Sequence, residues 1–219
     1  MAARGSGDAT RRSVLEAAAE LVAQDGAAKL TLDAVAERVG LSKGGILHHF
    51  ATKDSLIAAM VTYETVTEVQ ETMPLGLLLR GLRIELKGLI EETNAELTIS
   101  ELDGKAEVSR SLLQVLRELV VNSCRFRRPG MVPRIRVDAI SLGVRSVEIR
   151  VADNGSGVAE EYRDAIFEPF RRMHSRSEYP GFGLGLAVCR RIVEVNGGSI
   201  AASASEEGGL CIRVVLPTE

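Results

Sequence analysis

The chain has 219 residues, 45% hydrophobic and 26% charged, with a formal net charge of −3; this composition suits one large or two small globular domains and excludes a disordered chain. The slightly acidic balance argues against a protein coated in nucleic acid, while leaving room for a small local basic face. No long uncharged apolar run and no signal-peptide pattern is present, since the N-terminal "MAARGSGDAT" is small and polar, so the expectation is a cytoplasmic protein without membrane contact. Cys124, Cys189 and Cys211 lack CxxC or Cys/His spacing and read as buried free thiols, not as a disulfide framework or a zinc site.

Residues 10–64 read as short helices. "TRRSVLEAAAELVAQDG" places Val14, Ala17, Ala18, Leu21 and Val22 on one face and stops at Gly26. "TLDAVAERVG" offers Thr31 as N-cap, Leu32, Val35 and Val39 inside, and Gly40 as the turn; "SKGGILHHF" then restarts at the cap Ser42. Two short helices joined through a glycine turn predict a helix-turn-helix. "TKDSLIAAMVTYETVTEVQETM" restarts at Thr52 and predicts a longer amphipathic helix running to Pro74. The expected organisation is a helix-turn-helix domain over 1–64, a linker or the end of a connecting helix over 65–75, and a second domain over 76–219.

That second domain changes code. "GLLLRGLRIELKGLIEETNA" is helical, "ELTISEL" alternates as a strand does, and "SRSLLQVLRELVVNSCRF" is a strongly apolar helix. "RIRVDAI" and "VEIRVAD" alternate around "SLGVRS" as a hairpin, and a helix from about Gly183 to Val195 precedes the strands "GSIAASAS" and "LCIRVVLP". The predicted fold class is α+β: a two-layer α/β sandwich with a mixed, antiparallel-rich sheet under helices, preceded by a small all-α bundle. Two glycine clusters, "DNGSGV" at 153–158 and "GFGLGL" at 181–186, interrupt it. Either alone is as readily a turn as a phosphate loop.

Two resemblances are carried by these residues. "LTLDAVAERVGLSKGGILHHFATKDSLIAAM" resembles the DNA-binding region of the TetR family of transcriptional regulators. "RELVVNSCRF", "VADNGSGV", "IFEPFRRMHS" and "GFGLGLAVCRRIVEVNGG" resemble, in order, the N, G1, F and G2 boxes of histidine-kinase-type (GHKL) ATP-binding domains, those of phytochrome-like sensors in particular.

The second resemblance implies an ATP site that works with Mg²⁺, an ion that takes oxygen ligands. Asn122 is implied as the metal ligand. Glu118, one helical turn earlier on the same face, is implied as the catalytic carboxylate that accepts a proton, and Arg125 as a phosphate contact. Asp153 is implied as the acceptor for the adenine amine, with Gly155 and Gly157 turning the chain under the base. Gly181, Gly183 and Gly185 are implied as hinge and helix N-terminus, where backbone N–H groups meet phosphates. The two glycine clusters then form opposite walls of one pocket. Phe167 and Phe170 read as core anchors and His174 as solvated.

The chain also departs from the kinase pattern. Glu118 stands where sensor kinases often carry Asn, an arrangement shared with related ATPases that hydrolyse ATP; Phe182 is bulky inside the G2 box; and none of His48, His49 or His174 sits in the context of a phosphoacceptor histidine. Self-phosphorylation is therefore not expected, and a phosphoacceptor would be a separate protein. The TetR resemblance implies contact with duplex DNA through Lys43, Gly44, His48 and His49 at the major groove and Thr31 and Lys53 near phosphates. Residues 1–64 hold seven Lys or Arg against eight Asp or Glu, and the helical dimerisation domain usual in that family is absent, so a monomer or weak homodimer is expected. Three readings stay open: an ATP-dependent histidine kinase acting in trans or an ATP-responsive regulator; a transcription factor with a nucleotide-sensing domain; and a mosaic lacking both outputs.

Overall fold

The computed structural model describes residues 4–25, 29–67, 71–100, 106–143, 145–169, 171 and 184–218. The chain divides into two compact units, Met1–Thr67 and Glu68–Glu219.

The first unit is helical: α1 (Arg4–Asp25), α2 (Leu32–Val39), α3 (Lys43–His49) and α4 (Lys53–Thr67). Each start after α1 has the cap its sequence offers. Thr31 Oγ1 accepts from Ala34 N at 3.1 Å and Ser42 Oγ from Gly45 N at 3.1 Å. Thr52 and Ser55 cap reciprocally, Ser55 N donating to Thr52 Oγ1 at 3.0 Å and Thr52 N to Ser55 Oγ at 3.1 Å. Gly40 ends α2 at φ 69, a conformation that side-chain-bearing residues avoid, and so turns the chain into α3. Val14, Ala18, Leu30, Val35, Ile46, Phe50 and Leu56 fill the core, and the Arg11 guanidinium lies 4.6 Å from the centroid of the Phe50 ring.

The second unit begins with a short strand, β1 (Thr72–Pro74), followed by α5 (Leu75–Glu85), α6 (Lys87–Thr93), β2 (Glu96–Ile99), β3 (Glu107–Ser109) and α7 (Leu112–Arg125). It continues with β4 (Arg134–Ser141), β5 (Ser146–Asp153), 3-10 turns at Glu160–Tyr162 and Ala165–Phe167, α8 (Gly185–Val195), β6 (Ser199–Ala204) and β7 (Leu210–Pro217). The five-stranded sheet has the order β2-β4-β5-β7-β6, with β2 and β4 parallel and every other pair antiparallel, while β1 and β3 form a separate antiparallel ribbon.

Alternation along the strands decides the layers. Ile135, Val137, Ile149, Val151, Ile212 and Val214 are buried on one sheet face, in a single core with Leu116, Leu119 and Val120 of α7 and Val188, Ile192 and Val193 of α8. This is the mixed-sheet, two-layer sandwich expected from the pattern. Leu116 is 0% exposed, so truncation to Ala would cost about 2–5 kcal/mol. The helix expected to reach Pro74 is described to Thr67, and Thr72–Pro74 is not helical but pairs as a strand, with Met73 opposite Val108.

Candidate active site

Helix α7 carries most of the candidate residues. Its Leu112, Val115, Leu116, Leu119 and Val120 are buried in the core, and Glu118 and Asn122, one turn apart, share another, half-buried side. A β-carbon built on Gly185, the first residue of α8, would lie 3.1 Å from Glu118 Oε2 and 3.9 Å from Asn122 Nδ2. The N-terminus of α8 therefore comes up against that pair. Leu184, at the N-cap position of α8, offers no side-chain acceptor, and the first-turn N–H groups of a helix have no partners within the helix itself.

Glu118 Oε1 lies 3.5 Å from Arg117 Nη1, while Arg117 Nε also pairs with Glu85 Oε1 at 2.8 Å. Among the described residues the Asn122 side-chain amide has no hydrogen-bond partner. Beneath them, Cys189 of α8 lies with Sγ 3.9 Å from Val115 O; burial, and then the Glu118 charge, push its thiol well above the ordinary range. Burial likewise raises Cys124 and Cys211, so these thiols are protonated at neutral pH.

The next residue of α7, Ser123, reaches the second part of the site. Asp153, at the end of β5, is buried, and its carboxylate accepts from three donors: Oδ1 from Gly155 N at 2.8 Å and Leu210 N at 3.0 Å, and Oδ2 from Ser123 Oγ at 3.0 Å. The chain after Asp153 packs close to two neighbours. Ser156 N donates to Phe126 O at 3.0 Å, and a β-carbon on Gly155 would come 2.7 Å from that same oxygen. Gly157 takes φ 68 against the β6–β7 turn. In that turn a β-carbon on Gly209 would lie 2.3 Å from Asp153 O and 2.5 Å from Gly155 N. Arg128 Nη2 holds the turn through Gly208 O at 2.7 Å. Asn154 is fixed by the chain itself, accepting from Arg134 N at 2.9 Å and donating to Val132 O at 3.0 Å.

The structure thus gathers Glu118, Asn122 and Gly185 in one group, and Asp153, Gly155 and Gly157 in another, with consecutive residues of α7 joining the two. Arg125 is exposed at the end of α7 and borders a different cleft of about 400 Å³, lined by Leu89, Thr93, Val121, Cys124, Arg127 and Pro129. Gly181, Gly183, Phe170, Phe182 and His174 lie outside the described residues. Ser123 and Gly209 carry no site signal in the sequence. Ser123 reads there as one more small residue of an apolar helix, and Gly209 as part of an ordinary "EEGG" turn.

In the first unit, Thr31 is exposed and engaged as the α2 cap. Lys43, Gly44 and His48 are exposed on α3, where Lys43 Nζ pairs with Asp33 Oδ1 at 3.3 Å; His49 and Lys53 are half-buried. Among the described residues no helix is long and apolar enough to cross a membrane.

The sequence pattern described as "Histidine kinase-, DNA gyrase B-, and HSP90-like ATPase" matches residues 107–219, and that of "Bacterial regulatory proteins, tetR family" matches residues 14–60. Sensor protein KdpD of Escherichia coli is 38% identical over 123 residues, covering 56% of this chain and 13% of KdpD. Phytochrome-like protein Cph1 of Synechocystis is 33% identical over 156 residues, covering 70% of this chain and 19% of Cph1. The chain therefore spans less than a fifth of these two relatives. Among solved structures, the catalytic domain of histidine kinase ThkA superposes with a TM-score of 0.57 at 26% identity, covering 67% of this chain and 96% of that one. Full-length ShkA in complex with AMPPNP superposes with a TM-score of 0.61 at 21% identity, covering 98% of this chain and 45% of that one, a likeness of fold.

Proposed function

The chain belongs to the histidine kinase-, DNA gyrase B-, and HSP90-like ATPase family, and on that premise we propose that its second unit binds ATP with Mg²⁺ and passes on the γ-phosphate as a signalling kinase acting in trans. The observation that carries this reading is the meeting of Glu118 and Asn122 with the N-terminus of α8, one residue along α7 from the Ser123–Asp153 contact.

Each part has a task in phosphoryl transfer, where positioning and charge stabilisation do most of the work. The first-turn N–H groups of α8 bind phosphate oxygens, favoured by the positive end of the helix dipole. Asn122 has an amide oxygen with no partner among the described residues, which fits it to hold Mg²⁺. The ion, when bound, offsets the negative charge of the phosphates. Glu118 accepts the proton of the incoming nucleophile, an imidazole of a separate phosphoacceptor protein or water. Asp153 accepts from the exocyclic amine of adenine and disfavours guanine, which presents a carbonyl oxygen there. Gly155, Gly157 and Gly209 leave room for the chain to pack around that carboxylate.

The test follows the γ-phosphate. Glu118→Gln should keep nucleotide affinity nearly intact while slowing phosphate release or transfer by about 10²–10⁴-fold. Loss of ATP binding in that variant would instead make Glu118 a metal ligand, and a wild-type protein without turnover, with or without a phosphoacceptor, would reduce the unit to a nucleotide sensor.

A second reading is supported by the match of residues 14–60 to the tetR pattern: an ATP-responsive transcriptional regulator whose first unit lays α3 on duplex DNA. Gel shifts on random duplex pools, with and without Mg·ATP, test it; no retardation at low salt would leave the kinase reading alone.

A further inference from the structure

A serine inside a helix ordinarily returns its hydroxyl hydrogen to the carbonyl four residues back. Ser123 has that option, with Leu119 O at 3.1 Å, and a second one, with Asp153 Oδ2 at 3.0 Å. A hydroxyl has one hydrogen to give. Ser123 is 7% exposed and Asp153 9% exposed, so water competes little for either group. An ionised carboxylate then outbids a neutral carbonyl as acceptor.

The other acceptor sites of Asp153 are largely taken. Oδ1 already accepts two backbone N–H groups, from Gly155 and Leu210, which uses both of its lone pairs. On Oδ2 Ser123 takes one lone pair and leaves one open. Gly209 crowds Oδ1, where a built β-carbon would fall at 2.2 Å, so the carboxylate has little freedom to turn. The plane of the carboxylate and the direction of its single open lone pair are thus set together by the backbone donors on one oxygen and Ser123 on the other.

We propose that Ser123 is a positioning residue for base selection: its hydroxyl pins Asp153 Oδ2 so that the remaining lone pair is aimed at the exocyclic amine of an adenine nucleotide. The inference rests on the ATP-binding reading above, and it assigns the selectivity of the pocket to a pair of side chains and not to Asp153 alone.

The test compares wild type with Ser123→Ala, a substitution well tolerated in a helix, in the full chain by calorimetry with Mg²⁺. Two ligands are titrated: ATP, and purine ribonucleoside triphosphate, which lacks the 6-amine. Loss of one well-oriented hydrogen bond should weaken ATP about fivefold in Ser123→Ala, while the affinity for the amine-free analogue stays within about twofold. In an Asp153→Asn background the same serine change should have almost no further effect on ATP, as expected for groups acting through one contact. Equal weakening for both ligands, or additive losses in the double variant, would show a packing role and overturn the proposal, as would unchanged ATP affinity. A wild-type protein that binds neither ligand would overturn the ATP reading itself, and the inference with it.

Discussion

Asp153→Asn separates recognition from folding, because the structure shows where the new amide must point. The side-chain oxygen stays on the Oδ1 side, where Gly155 N and Leu210 N donate at 2.8 and 3.0 Å. The NH₂ group is then forced onto the Oδ2 side, opposite Ser123 Oγ, which accepts from it and turns its own hydrogen to Leu119 O, 3.1 Å away. Every local partner remains satisfied, and a buried charge has gone, so the fold should lose no more than about 1–2 kcal/mol. The nucleotide fares worse. In the proposed site the base amine would meet a donor in place of an acceptor, and loss of a hydrogen bond to a charged group costs about 1.5–3 kcal/mol, roughly ten- to a hundredfold in affinity. Calorimetric titration with Mg·ATP beside thermal unfolding reads both quantities. Unchanged affinity would remove Asp153 from base recognition, and a variant that no longer folds would show that the carboxylate is held for stability.

Asn122→Ala should abolish the gain in ATP affinity produced by Mg²⁺ while leaving metal-free binding unaltered, as titrations with and without EDTA can show. Gly209→Ala places a methyl 2.3 Å from Asp153 O, and should lower stability by about 2–3 kcal/mol in denaturant unfolding. The raised thiol of Cys189 keeps its proton in the folded state beyond the point where the unfolded chain loses it; stability should therefore be full below the ordinary thiol value of 9.0 and fall as pH climbs above it, with a shallower fall in Cys189→Ala. In the first unit, Lys53→Ala should weaken binding to all duplexes alike and reduce the salt dependence measured by gel shift, as expected of a phosphate contact.

Much of the scaffold was legible where side chains act on their own backbone. Thr31, Ser42 and Thr52 announce helix starts because their hydroxyls satisfy N–H groups three residues on, and the structure has those bonds. The alternation of "RIRVDAI" and "VEIRVAD" likewise fixed which side chains enter the core. Short or interrupted elements were harder. Three-residue strands carry too little alternation to register, and β1 contains Pro74, which reads as a breaker although it sits at the strand's end. A continuous apolar pattern over 75–93 hid the break between α5 and α6 at Leu86. At the site, the helical period alone puts Glu118 and Asn122 on one side of α7. What it cannot show is Ser123 meeting Asp153 across 30 positions, or Gly209 pressed against a carboxylate 56 positions earlier. Those contacts depend on α7, β5 and the β6–β7 turn converging, which is tertiary information.

The most direct measurement is a calorimetric titration of the full chain with ATP, once with Mg²⁺ and once with EDTA. One nucleotide should bind per chain, more tightly with the metal, if Asn122 and the N-terminus of α8 hold, as proposed, a triphosphate whose charge the metal offsets. No saturable binding in the presence of Mg²⁺, or affinity indifferent to both the metal and the base, would contradict the account that α7, α8 and Asp153 form one nucleotide site.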